Sequence, residues 1–83
     1  MTTVTLYTRP GCHLCEEALA LLRQAARGRL VRIIAVNVDE RPELAARYGE
    51  RVPVAQIGAR ELAWPFTLAQ ARAALDAASA ERR

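Results

Sequence analysis

Tyr7-Thr8-Arg9-Pro10-Gly11-Cys12-His13-Leu14-Cys15-Glu16 joins a strand-like run to a helix-like one, and two cysteines stand at the join. Upstream, Val4-Thr5-Leu6-Tyr7-Thr8 is β-branched and aromatic, which reads as a short strand, expected to be central in its sheet. Arg9-Pro10-Gly11 supplies a sharp turn. Downstream, Leu14, Ala18, Leu21, Leu22 and Ala25 recur at helical spacing from His13 to Arg27, with Glu16, Glu17, Arg23, Gln24 and Arg27 on the other side. Gly28 supplies a stop.

This placement puts Cys12 at or near a helix N-cap. The first amides of a helix lack intrahelical partners and favour an anion there. A thiolate at Cys12 is therefore expected to be stabilised, lowering the thiol pKa from about 8.5 toward or below neutrality. Cys15 lies one turn on, on the same side, within reach of Cys12 to close a small disulfide ring or resolve a mixed disulfide. Arg9 adds a fixed positive charge three residues before Cys12. His13 has two readings: an imidazolium that favours the thiolate, or an exposed histidine at the helix start. Glu16 and Glu17 read as solvated face.

A C-x-x-C pair also forms half of a zinc knuckle, but the chain holds two cysteines and one histidine, and His13 lies between the cysteines. One chain cannot supply four ligands of this kind, so a metal would have to bridge two subunits. An inert structural pair is the other alternative. The expected metal site is none, and the redox dithiol is the leading reading.

With 83 residues the chain is expected to form one domain over residues 1–83. A hydrophobic fraction of 52% excludes a disordered chain, and no apolar run approaches the roughly 20 residues needed to span a bilayer. Met1-Thr2-Thr3-Val4-Thr5 runs directly into the strand without a basic, apolar leader, so a cytoplasmic location is expected. Thiols are kept reduced in that compartment, which favours a catalytic over a structural pair. The net charge of +3 rests on twelve arginines and no lysine, spread along the chain. Nucleic-acid binding would need clustered arginines interleaved with stacking aromatics, and Tyr7, Tyr48, Trp64 and Phe66 are too few and scattered. Neither a nucleic-acid nor a membrane partner is expected, and the chain is read as a monomer.

Leu30 to Val38 is a second strand, apolar enough to suggest burial on both faces. Strand, helix and strand make a βαβ unit, so the two strands should be parallel with a right-handed crossover. Asp39 is read as a cap for a short helix from Pro42 to Tyr48, with Leu44, Ala45 and Tyr48 inward and Gly49 as its stop. Pro53 opens a strand, Val54 to Ile57, and Gly58-Ala59 turns a hairpin into Arg60 to Ala63. Trp64 and Phe66 read as core residues rather than a substrate rim. Thr67 and Gln70 form a capping box for a last helix to about Ser79, with Leu68, Ala71, Leu75 and Ala78 on one face. Glu81-Arg82-Arg83 should fray. The order is β-α-β-α-β-β-α, an α/β fold of thioredoxin-like type with a four-stranded mixed sheet and three helices.

Through Tyr7 to Glu16 and the separate Arg51-Val52-Pro53-Val54 segment, the chain resembles the glutaredoxins, more closely their small bacterial glutaredoxin-like relatives with a Cys-His-Leu-Cys site. That resemblance implies a thiol–disulfide oxidoreductase in which Cys12 attacks, Cys15 resolves and Pro53 is a cis-proline facing the dithiol. It also implies that Val52 offers its backbone to an incoming cysteinyl segment as a neighbouring strand would. Arg9, His13, Arg51, Val52 and Pro53 are the expected substrate-binding residues. Substrates would be disulfide-containing proteins or glutathione mixed disulfides, reset by a thiol reductant or reductase system, with no bound cofactor. His13-Leu14 replaces the Pro-Tyr common in glutathione-dependent members, and no acidic pair follows the hairpin, so glutathione or a thioredoxin-type reductase could be the reductant. The rival reading is a thioredoxin-fold adaptor with a non-catalytic or metal-bridging dithiol.

Overall fold

The computed structural model describes residues 1–81. Strand β1 (Thr2–Thr8) lies inside the sheet, parallel to β2 (Val31–Asn37) along its whole length, from Thr2 opposite Val31 to Thr8 opposite Asn37. Its other side pairs antiparallel with β3 (Val54–Ile57), which forms a hairpin with β4 (Arg60–Ala63), giving the order β2-β1-β3-β4. The helices are α1 (His13–Ala25), α2 (Pro42–Tyr48) and α3 (Leu68–Glu81), with a short 3-10 turn at Val38–Glu40. This is the thioredoxin-like α/β order expected from the sequence. Among the described residues no helix is long and apolar enough to cross a membrane.

Side-chain periodicity builds the main core. Alternate residues of a strand face one way, so Val4 and Leu6 of β1 and Ala55 and Ile57 of β3 meet on one face of the sheet. Helices α1 and α3 cover that face with Ala18, Leu22 and Ala25 from the first, and Ala71, Ala74, Leu75 and Ala78 from the second. Phe66 is buried here and meets Trp64 edge to face, with ring centroids 5.1 Å apart. Each fully buried large aliphatic side chain contributes about 1.5–3 kcal/mol by leaving water. On the opposite face α2 covers one end of the sheet, where Val38, Tyr48 and Val54 form a second, smaller cluster.

The second strand corrects one expectation. β2 is an edge strand, not one buried on both faces: Ile34 is 41% exposed, and Leu30, just before it, 79%. Val31 and Ile33 face the main core, whereas α2 leaves the strand's outer face uncovered. A continuous apolar run therefore does not distinguish a doubly covered strand from an edge strand with one side open.

Helix ends differ in smaller ways. α1 stops at Ala25 rather than Arg27, and Gly28 follows at φ +76°, a left-handed conformation that glycine adopts without steric cost. Leu14, expected on the apolar face, is 46% exposed, because Cys15 takes the inward position of the first turn. Asp39 does not cap α2: it lies in the 3-10 turn, its own amide donating to Asn37 Oδ1, while Arg41 precedes α2 with no side-chain cap. At α3 the capping box forms as read, Gln70 N donating to Thr67 Oγ1 at 3.0 Å and Thr67 N to Gln70 Oε1 at 2.8 Å. Glu81, expected to fray, ends α3 and is paired with Arg60 at 3.0 Å; Arg82 and Arg83 lie outside the described residues.

Leu22, 1% exposed between α1 and the sheet, is the plainest test of this core. Leu22→Ala should lower unfolding free energy by about 2–5 kcal/mol in a urea titration of the oxidised chain. A loss well below 1 kcal/mol would mean that the helix does not seat against the strands as described.

Candidate dithiol site

Strand β1 ends at Thr8, and α1 begins at His13, after only four intervening residues. The turn between them is tight: Cys12 N donates to Arg9 O at 3.2 Å, and Gly11 sits at φ +72°. Cys12 is the N-cap of α1, with extended φ −88° and ψ 103°, and its Sγ accepts the Cys15 amide at 3.1 Å. Cys12 thus occupies the helix N-cap, and one of the otherwise unpartnered amides of α1 is spent on its sulfur.

Cys12 and Cys15 are disulfide-bonded, with Cα atoms 5.2 Å apart. The two sulfurs have unequal surroundings. Cys12 is half-buried at the rim, whereas Cys15 is 5% exposed and faces inward. Cys12 is therefore the more accessible of the two.

The expected substrate-binding residues fall into two groups. Pro53 and Val52 lie where the register brings them: Tyr7 pairs with Val54, so the start of β3 stands beside the end of β1 that leads to Cys12. The Val52–Pro53 bond is cis, as the resemblance implied, and Pro53 is buried. A second cis bond, Trp64–Pro65, carried no sequence signal. Arg51 is half-exposed on the same connection, and its amide donates to Tyr48 O at 2.7 Å.

Arg9 and His13 are turned elsewhere. The Arg9 guanidinium grips Asp39, donating from Nε at 3.0 and 3.2 Å and from Nη2 at 2.9 Å, and gives Nη1 to Gly49 O at 2.8 Å. It ties the end of β1 to the 3-10 turn and to the end of α2 as a structural clamp. Gly49 is required by backbone crowding, not by its φ of −51°: a Cβ there would run into the Ala45 carbonyl oxygen and also stand 2.8 Å from Arg9 Nη2. The His13 ring, with its side chain 82% exposed, reaches along α1 to Glu17, Nε2 to Oε2 3.2 Å, with Glu16 Oε2 4.0 Å from Nδ1.

Sequence reading missed a polar cluster behind the Arg51–Pro53 connection. Tyr48 of α2 stacks on Tyr7 of β1, centroids 4.1 Å apart and planes 11° from parallel. Its hydroxyl donates to Glu61 Oε2 on β4 at 2.6 Å. Arg51 Nη2 lies 3.5 Å from Glu61 Oε1 and Arg47 Nη2 3.7 Å from Oε2, with both guanidinium carbons within 5.6 Å of the Tyr48 ring centroid. Tyr7 in turn donates to Gln56 Oε1 at 3.0 Å. The Glu61 carboxylate, accepting that hydroxyl proton, pushes the Tyr48 phenol up from 10 to about 12, with burial acting the same way. From the other side, the Tyr48 hydrogen bond holds the Glu61 carboxyl below its ordinary value; burial opposes this, and Arg47 and Arg51 assist it. A glutamate in a weak hairpin, remote in sequence from both arginines, gave no signal of this pairing.

Among the described residues no group of three or more His, Cys, Asp or Glu side chains is gathered to hold a metal. A concavity of about 690 Å³ lies at the opposite end of β1, lined by Met1, Leu30 and Leu75 among others, away from the dithiol.

Residues 3–76 match the family model described as glutaredoxin-like domain (DUF836). The X-ray structure of Northeast Structural Genomics target protein XcR50 from X. campestris is 44% identical, with a TM-score of 0.76 over 89% of this chain and 96% of that one. No curated protein matches the chain.

The Tyr48–Glu61 bond is directly testable by pH. A phenol whose folded pKa is raised stabilises the fold below pH 10 and loses that contribution as pH climbs toward about 12. A carboxyl whose folded pKa is lowered contributes above its ordinary value of 4.5 and loses it on acidification. These are two ends of one bond and count once. Tyr48→Phe should cost about 1.5–3 kcal/mol at neutral pH, and the gap from wild type should narrow at both extremes in urea titrations of the oxidised chain. A gap independent of pH would contradict the pairing.

Proposed function

This chain belongs to the glutaredoxin-like (DUF836) family, and on that premise we propose that it is a thiol–disulfide oxidoreductase working through Cys12 and Cys15. The observation that carries the reading is the asymmetry of the pair: a rim sulfur at a helix N-cap, accepting a backbone amide, with its partner buried one turn behind.

In the reduced protein, Cys12 Sγ is the thiolate. It attacks one sulfur of a substrate disulfide in line with the S–S bond, forming a mixed disulfide and expelling the other sulfur as a thiolate that takes a proton from water. Cys15 then loses its proton and attacks Cys12 Sγ, expelling the second substrate thiolate and closing the Cys12–Cys15 disulfide. Two electrons pass from the protein dithiol to the substrate. A second thiol system, glutathione or a reductase-linked dithiol, returns them by the reverse exchange. In the mixed disulfide the substrate backbone pairs with Val52 as an added strand, beside Pro53 and within reach of Arg51.

Turnover of a glutathionylated peptide and of a protein disulfide, each reduced with dithiothreitol, glutathione or a thioredoxin-type reductase, tests the proposal. Cys12→Ser should abolish activity on both substrates. Cys15→Ser should retain part of the glutathionylated-peptide activity, which needs one thiol, and lose the protein-disulfide activity, which needs two. A wild-type chain inactive with every reductant, or Cys12→Ser as active as wild type, would defeat the proposal; one zinc per two chains in the reduced protein would favour the bridging adaptor instead.

A further inference from the structure

We infer that Glu61 is a positioning residue for substrate docking, acting from β4 through Tyr48 and Arg51 on the backbone at Val52–Pro53; this rests on the oxidoreductase reading above.

The connection from α2 to β3 is short and leads into β3 beside the end of β1 that precedes Cys12, and it is gripped from two sides. At one end Arg9, three residues before Cys12, donates Nη1 to Gly49 O at 2.8 Å. At the other, Glu61 uses both carboxylate oxygens: Oε2 accepts the Tyr48 hydroxyl at 2.6 Å, and Oε1 faces Arg51 Nη2 at 3.5 Å. The Arg51 amide donates to Tyr48 O at 2.7 Å, so the carboxylate holds the last residue of α2 and the residue before Val52 in one unit. Tyr48 is 2% exposed, and its ring is seated on Tyr7, in the strand that delivers Cys12. Glu61 itself is fixed by the hairpin, opposite Gln56 of β3, and Gln56 accepts the Tyr7 hydroxyl. The bracket therefore runs β4–α2–β1 around the connection that carries Pro53.

A surface ion pair alone would be worth little. Glu61 differs because its shortest bond goes to a buried phenol, and because its partners Tyr48 and Arg51 lead directly into Val52, whose backbone would pair with the substrate. A shift there of a fraction of an ångström would misalign the incoming strand while leaving both sulfurs in place. Loss of the bracket should therefore weaken docking more than chemistry.

The experiment compares wild type, Glu61→Ala, Glu61→Gln and Tyr48→Phe. Two readouts are taken: steady-state reduction of a glutathionylated peptide with dithiothreitol as reductant, and amide hydrogen exchange at Arg51, Val52 and Val54. Glu61→Ala should raise KM roughly three- to tenfold with kcat unchanged. Glu61→Gln, which keeps an acceptor for Tyr48 but loses the charge facing the arginines, should fall between. Exchange at the three amides should quicken in Glu61→Ala while the α1 amides stay as slow as in wild type. An unchanged KM, a loss shared equally by both glutamate variants and confined to kcat, or unaltered exchange would overturn the bracket. If Glu61→Ala does not fold, Tyr48→Phe, which removes one hydroxyl, is held to the same two criteria. A wild type without turnover would defeat the oxidoreductase reading, and exchange at Arg51, Val52 and Val54 would then decide the bracket by itself.

Discussion

The hand-over from strand to helix at residues 8–13 is the constraint on which the rest of this structure hangs. β1 is pinned on both sides, by β2 in parallel and β3 antiparallel, so its end has a fixed place and direction. α1 must start after only four intervening residues and must lie back across the sheet to cover Val4 and Leu6. Only a sharp turn satisfies both, and Gly11 at φ +72° supplies one. The amino end of α1 is thereby brought to the rim of the sheet with its amides pointing out. Whatever residue stands at the N-cap inherits those amides, and here it is Cys12.

Dependence runs outward from that junction. The inward step of the helical repeat falls on Cys15, Ala18, Leu22 and Ala25, so the residue three after the N-cap is bound to be buried. The two cysteines share one side of α1 and differ because Cys12 stands at its very end, at the rim, while Cys15 sits one turn in, against the core. The antiparallel register between β1 and β3 then sets the Val52–Pro53 connection beside the same end of the sheet. Arg9 and Glu61 fasten this connection, one to the strand before the dithiol and one to the far hairpin. The structure keeps a rigid frame under a site that is open to solvent.

Much of this was legible in the residues. The Pro-Gly turn, the apolar spacing of α1, the β-branched runs and the Thr67–Gln70 capping box each act within a few residues, and each appears where its local chemistry puts it. What the sequence withheld is long-range. Leu30 to Val38 is apolar enough for a covered strand, yet α2 is too short to shield it, and Ile34 faces out. Asp39 has the chemistry of a cap, but Arg9, thirty positions earlier, reaches it first with a two-pronged guanidinium. Glu61 shows the same limit from the other side: only the pairing of β4 with β3 brings a glutamate under Tyr48 and between two arginines. Residues whose partners are sequence neighbours could be read; residues whose partners arrive by strand pairing could not.

The central claim is that the amino end of α1 makes Cys12 a thiolate at physiological pH. Its most direct test is the rate of Cys12 alkylation by iodoacetamide in the reduced Cys15→Ser chain, followed across pH. The account predicts a midpoint at or below neutrality, with the rate already near its plateau at pH 8. A midpoint at about 8.5 or higher, the value of a cysteine in an unstructured peptide, would contradict it.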